Sequence, residues 1–281
     1  MSAHPVARLE EHLSDRDIRI LEDIKRFRLL STRQLQRLHL PAAPLGDHTT
    51  VSSATRGTTR VLGRLEQLGV IARLERRIGG IAHGSALTVW QLGAAGDRFL
   101  RARRGDPKRR RYEEPGRPFM RHMLAVADTA ISLIEQANAG RFELLELELE
   151  PACWRRFTSG SAVEITLKPD LLVVTADAHT ETHSFIEVDL GTEHPPTVLR
   201  KCRTYQRYFA TETEQETRGL FPAVVWIVPD PIRAKRIREA IAADPNLTSN
   251  LFWIITPESM NRQLAPYSAP ITTTSPKGGT T

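Results

Sequence analysis

Apolar residues in the first hundred positions recur mostly at helical spacing. Ser14 opens the run Ser-Asp-Arg-Asp, an N-cap with acids in the first turn. Ile18, Leu21, Ile24 and Leu29 follow, which predicts a helix over about 15–29. Ser31 caps a second, short helix with Leu35 and Leu38 inward and Pro41 beyond its end. A polar loop over 42–53 leads to a third helix, about 54–68. It turns Val61, Leu62, Leu65 and Leu68 to the core, and Gly69 is its stop. The period then changes to two. Val70 to Arg77 alternates, Ile78 to Gly84 is a glycine-rich turn, and Ser85 to Leu92 reads as the return strand. Gly96 to Arg104 reads as a closing helix.

Further along, Phe119 to Asn138 is an amphipathic helix and Phe142 to Leu149 alternates apolar with acidic, as a half-buried strand does. Thr166 to Val174 and Ser184 to Leu190 read as strands, and Pro196 to Phe209 as a helix. Phe221 to Val228 is a continuous apolar run suited to a buried central strand. Pro231 to Ala243 is a helix and Leu251 to Ile255 a last strand. Between the two halves, Arg101 to Pro118 combines prolines, glycines and a dense Arg/Lys run that cannot bury a core, so it reads as a basic linker. The expected organisation is a first domain over 1–100, the linker at 101–118, a second domain over 119–257 and a disordered tail over 258–281.

Three helices followed by a hairpin is the order of a winged helix-turn-helix. The segment from Thr58 through the hairpin to Gly96 resembles the recognition helix and wing of many bacterial regulators. In that fold the third helix enters the major groove. Its outward residues are expected to be Thr55, Arg56, Thr58, Thr59, Arg60 and Arg64, with Arg76, Arg77 and His83 offered by the wing. Arginine reaches guanine O6 and N7 or a phosphate, and threonine a phosphate or a thymine methyl. Charge agrees with this division. Residues 1–118 hold 23 Lys and Arg against 13 Asp and Glu, a net +10; the rest hold 16 against 20, a net −4. A basic half suits a polyanion, and double-stranded DNA is the expected partner.

At 281 residues, 40% hydrophobic and 26% charged, the composition is that of an ordinary globular chain. No run approaches the apolar length of a spanning helix, and residues 1–17 have no signal-peptide core, so a cytoplasmic protein off the membrane is expected. Cys153 and Cys202 are too few for a disulfide framework or a cysteine zinc site, and His179, His183 and His194 read as surface histidines. No phosphate loop, G-x-S-x-G elbow or H-E-x-x-H occurs.

The second half carries Pro169-Asp170 at one strand and Glu187-Val188-Asp189 on the next. With its element order, this is similar to the PD-(D/E)XK nuclease superfamily. The fold class expected is α+β, a winged helix-turn-helix joined to a mixed sheet flanked by helices. The resemblance implies that Asp170 and Glu187 hold Mg²⁺ and that a lysine lies beside the attacking water. Asp189 stands where that lysine is expected. Some members move it to the following helix, where this chain has Lys201. Glu187 and Asp189 share a strand face by the period of two and would repel unless a cation sat between them, so Asp170, Glu187 and Asp189 form the candidate metal set. Glu187-Val188-Asp189-Leu190-Gly191-Thr192, then Lys201 and Tyr205, with His122 upstream, resembles the replication-relaxation family. That implies plasmid or mobile-element replication or mobilisation, and replication or relaxase proteins as partners; a homodimer is compatible with it. Two readings stay open. One is a DNA-binding regulator or accessory protein with a non-cleaving nuclease-like domain. The other is a Mg²⁺-dependent endonuclease using Asp170, Glu187, Asp189 and Lys201.

Overall fold

The computed structural model describes residues 9–74, 87–106, 115–158 and 163–264. Arg76, Arg77 and His83 of the expected wing therefore lie outside the described residues. The chain is an α+β protein built on a mixed five-stranded sheet. No helix among the described residues is long and apolar enough to cross a membrane.

The N-terminal elements begin with α1 (Asp15–Phe27), where the Ser14 hydroxyl and the Asp17 carboxylate cap one another's backbone amides. The helix ends at Phe27, short of the expected position 29, because Arg28 turns to φ 67°. β1 (Leu30–Ser31) follows, and Ser31 caps α2 (Thr32–His39) in the same reciprocal way with Gln34. α3 (Val51–Gln67) starts at a Thr50 cap, three residues before the expected start. Gly69 ends it at φ 67°, a backbone state that glycine enters without strain. β2 (Ile71–Arg73) and β3 (Val89–Leu92) pair antiparallel, and β1 joins the other edge of β3. α4 (Ala94–Arg104) packs so closely on β2 that a Cβ at Gly96 would meet the Val70 carbonyl at 2.1 Å.

α5 (Arg117–Asn138) leads into β4 (Glu143–Leu149). β5 (Arg155–Thr158) and β6 (Glu164–Leu167) form a separate antiparallel pair. The expected single strand over 166–174 is thus divided at Lys168-Pro169-Asp170, and its second part is β7 (Leu171–Ala176). β8 (Glu181–Val188), α6 (Pro195–Phe209), α7 (Thr213–Arg218), β9 (Ala223–Ile227), α8 (Pro231–Ala242) and β10 (Phe252–Ile255) complete the main layers. Sheet order is β10-β9-β8-β7-β4, with β10, β9 and β8 parallel and the β8–β7 and β7–β4 pairs antiparallel. The first residues of the expected tail, from 258, are part of a helix, and those from 265 on lie outside the described residues. α9 (Pro257–Gln263) caps the sheet, Leu264 is buried, and its carbonyl accepts from the Thr175 hydroxyl at 2.8 Å.

Alternation along the strands separates two apolar layers. Ile186 and Val188 share a core with α5, whereas Phe185 and Val224 pack under α6 and α8. The α5 core does not stop at the sheet. It is continuous with Ile20, Ile24, Leu35 and Leu65 of the N-terminal helices. Gln34 donates to the Leu124 carbonyl at 2.8 Å. Arg37 holds Glu135 and Asp128 with its guanidinium and also reaches Ser132. The expected linker shortens at both ends, since α4 runs through Arg104 and α5 starts at Arg117.

Candidate functional site

Three elements aim side chains at the ends of β7 and β8. Asp170, just before β7, lies across from Glu187 in the antiparallel register, and its amide donates to the Ile186 carbonyl at 3.0 Å. The Asp170 carboxylate accepts from the Val188 amide at 2.7 Å and lies 3.0 Å from Nε2 of His122 on α5. Glu187 is 1% exposed. One of its oxygens meets Nζ of Lys201 and the other accepts from the Tyr205 hydroxyl, both from α6. Lys201 and Tyr205 are four apart and so share the inner face of that helix. Asp189 turns to α8, where Nε of Arg233 donates to it at 2.7 Å, and it also accepts from the Gly191 amide at 2.8 Å.

The sequence reading brings Asp170, Glu187 and Lys201 together, and the structure does the same. Arg233 was missed. Its signal is local only: Asp230 caps α8 and accepts from the Arg233 amide, which sets the first turn at the mouth of the site. Above the acids is a cleft of about 690 Å³ whose rim includes Arg117, Phe119 and Arg121 of α5.

On α3, Thr55, Arg56, Thr59 and Arg60 are exposed. Arg56 and Arg60 have no hydrogen-bond or ion-pair partner among the described residues, whereas the Thr55 and Thr59 hydroxyls bond back to Val51 and Thr55 carbonyls. Thr58, expected outward, is fully buried; its hydroxyl is satisfied by the Ala54 carbonyl, which lets it face the core. Arg64 is turned onto buried Asp17 at 2.6 Å and the His12 carbonyl at 3.1 Å.

A model of the replication-relaxation family matches residues 21–224. The chain belongs to the replication-relaxation family. No curated protein and no solved structure matches it. The span matched in this replication-relaxation protein contains α3, His122, Asp170, Glu187, Asp189, Lys201 and Tyr205, and ends before Arg233.

Electrostatics at the acid centre of the replication-relaxation protein are set by burial first. Burial pushes the Glu187 carboxyl upward, opposed by Lys201. Burial alone would lower Lys201, but Glu187 and Asp170 outweigh it and keep the ammonium charged. Burial and then Glu187 raise Tyr205, which stays a donor. The hydrogen bond to Asp170 raises His122. Cys153 and Cys202 are buried thiols pushed up to about 12, so neither is a nucleophile at neutral pH. All six oxygens of Asp170, Glu187 and Asp189 already have protein partners, counting His122. Among the described residues no group of three or more His, Cys, Asp or Glu is arranged to hold a metal ion. As placed, the set does not present three carboxylates to one cation, because Asp189 is drawn away to Arg233 and Lys201 fills the charge deficit beside Glu187.

The Asp17–Arg64 pair gives a pH prediction. Burial raises Asp17, but Arg64 and Ser14 bonds outweigh it and the net shift is downward from 3.8. A depressed carboxyl stabilises above its unfolded pKa and loses that contribution as pH falls through the folded value. Asp17→Asn should therefore be less stable than wild type at pH 7, and the gap should close as pH falls below 3.8. Urea midpoints at pH 7 and pH 3 check this; a constant gap would reject it.

Proposed function

We propose that this protein binds double-stranded DNA through a winged-helix module and acts in replication or mobilisation of plasmid or other mobile DNA. In this reading it is a cytoplasmic regulator or accessory factor to replication or relaxase proteins. Its second half is a PD-(D/E)XK-like fold that does not cleave. The observation that carries the reading is the outer face of α3, where Arg56 and Arg60 stand exposed and, among the described residues, unpartnered beside Thr55 and Thr59. Unpartnered guanidiniums on one helix face match phosphate and guanine edges in a major groove. The non-cleaving half of the reading rests on Asp189, which stands where the strand lysine is expected and is compensated internally by Arg233.

The full chain is the right material for the test, because α2 and α5 share a core. Arg56→Ala with Arg60→Ala should weaken a specific duplex by about 1–3 kcal/mol for each base contact removed. Affinity should fall linearly in log–log form with salt through counterion release. Fluorescence anisotropy with labelled duplex at several salt concentrations measures both. Wild type with no duplex affinity at low salt would sink the proposal.

A second reading, the Mg²⁺-dependent endonuclease, draws on Lys201 lying against Glu187 with Asp170 opposite. Supercoiled plasmid incubated with Mg²⁺ or Mn²⁺ and a chelator control separates the two. Intact plasmid favours the accessory protein; metal-dependent nicking that Lys201→Ala removes favours the enzyme.

A further inference from the structure

The net −4 of residues 119–281 conceals a positive layer. α6 carries Arg200, Lys201, Arg203 and Arg207 and not one Asp or Glu. Lys201 turns inward to Glu187. The other three follow i, i+3, i+7 spacing on the side opposite buried Val198, Cys202 and Tyr205, and form one outward stripe. Arg200 has no partner among the described residues, and Arg207 meets only the Thr204 hydroxyl. Arg203 holds Asp244 yet keeps 54% of its side chain exposed. A groove of about 400 Å³ runs between these arginines, Gln206 and Asn246. α8 packs beside α6 on the same sheet face and adds exposed Lys235, Arg236 and Arg238. Of the nearby acids, Asp244 is taken by Arg203, Asp230 caps α8, and Glu239 is 3.8 Å from Lys235.

We propose that this outer face of α6 and α8 is a second DNA surface, one that grips the phosphodiester backbone without reading bases. The partner is thus the same class of ligand as on α3, met by different residues. Arg200 to Arg207 spans about 10 Å at 1.5 Å per residue, enough to reach more than one phosphate of a strand. The arginine fork suits phosphate, and three of the residues lining the groove are arginines. The position of the stripe sets its consequence. α3 belongs to the elements packed on α5, on one side of the sheet, and the stripe lies on the other. At least two packed layers, about 20 Å, separate them. The two surfaces lie in layers on opposite sides of the sheet, and in this proposal the protein holds two DNA segments at once.

The test uses the full chain with Arg200→Ala and Arg207→Ala together, sparing Arg203 because it neutralises buried Asp244. Unchanged thermal melting verifies the fold. Biotinylated duplex on beads is offered a second, fluorescent duplex. Wild type should retain the fluorescent duplex. The double variant should lose that retention, keep single-duplex affinity within about ten-fold, and show a salt slope shallower by about two. Arg200→Lys with Arg207→Lys should retain most of the bridging. Undiminished bridging by the alanine variant, or a wild type that binds one duplex and never bridges, would overturn the second surface while leaving the α3 reading intact. No duplex binding at all would remove both. Wild type, but not the variant, sedimenting with phosphatidylserine vesicles while the DNA slope is unchanged would assign the face to a lipid surface and overturn it.

Discussion

Arg233→Ala should lower folding stability by about 3–5 kcal/mol, the cost of stripping the counter-charge from a buried carboxylate. The Asp189 side chain is 1% exposed and Arg233 11%. Little water can replace the guanidinium, and the Gly191 amide alone remains to hold the charge. Arg233 also donates to the Glu193 carbonyl at 2.5 Å, so the loop at the cleft rim loses its anchor in the same variant. A domain of this size has about 5–15 kcal/mol in total, and the effect is a large share of it. Adding Asp189→Asn to Arg233→Ala should recover part of the loss, because the orphaned charge is then gone. Denaturant unfolding of the two variants measures both steps. A single variant that costs under about 1 kcal/mol would mean that water reaches Asp189 freely.

Lys201→Ala should cost about 3 kcal/mol, the lower end of the same range, because Lys201 keeps 32% of its side chain in solvent while Glu187 keeps 2%. The loss has a pH signature. Glu187 is raised by burial, and removing the ammonium raises it further. A raised carboxyl keeps its full contribution below the unfolded pKa and loses it as pH climbs toward the folded one. Glu187 is raised to about 8 in wild type, so the variant should stay near wild type below that pH and diverge from it above. Lys201→Met combined with Glu187→Gln should be milder than Lys201→Ala at pH 8, since no charge is left buried. Stability curves from about pH 5 to pH 10 check the sign. A Lys201→Ala penalty independent of pH would show that packing, not charge, is what Lys201 supplies.

Local signals were legible where the chemistry is local. Ser14 and Ser31 cap helices because a short oxygen side chain satisfies the first free amides. Gly69 ends α3 because glycine alone turns there at no steric cost. The two-residue β1 was not legible. Leu30 and Ser31 are a strand only because Trp90 and Val89 lie beside them. The run Thr166 to Val174 reads as one strand by composition. Pro169 cannot donate to a ladder, and the chain leaves β6 there and enters the main sheet at Leu171. At the acid centre, Asp170, Glu187 and Lys201 were readable because each lies within a short, patterned segment. Arg233, distant in sequence, reaches Asp189 only through the parallel pairing of β9 with β8, which puts the start of α8 beside the end of β8. The Arg/Lys-rich run from 101 suggested independent halves. Composition carries no trace of Gln34 on Leu124 or of Arg37 on Glu135, which join them.

That junction makes α5 a strut. Its 22 residues form a rod about 33 Å long. Near one end it carries His122 against Asp170; further along it offers Leu124, Asp128, Ser132 and Glu135 to the α2 clamp. Arg37 spans two turns of the rod, so α2 is tied to α5 at more than one point. A rotation or slide of α5 about its axis would carry the His122 ring across the carboxylate it touches. The α2 clamp and the acid centre thus share one shaft.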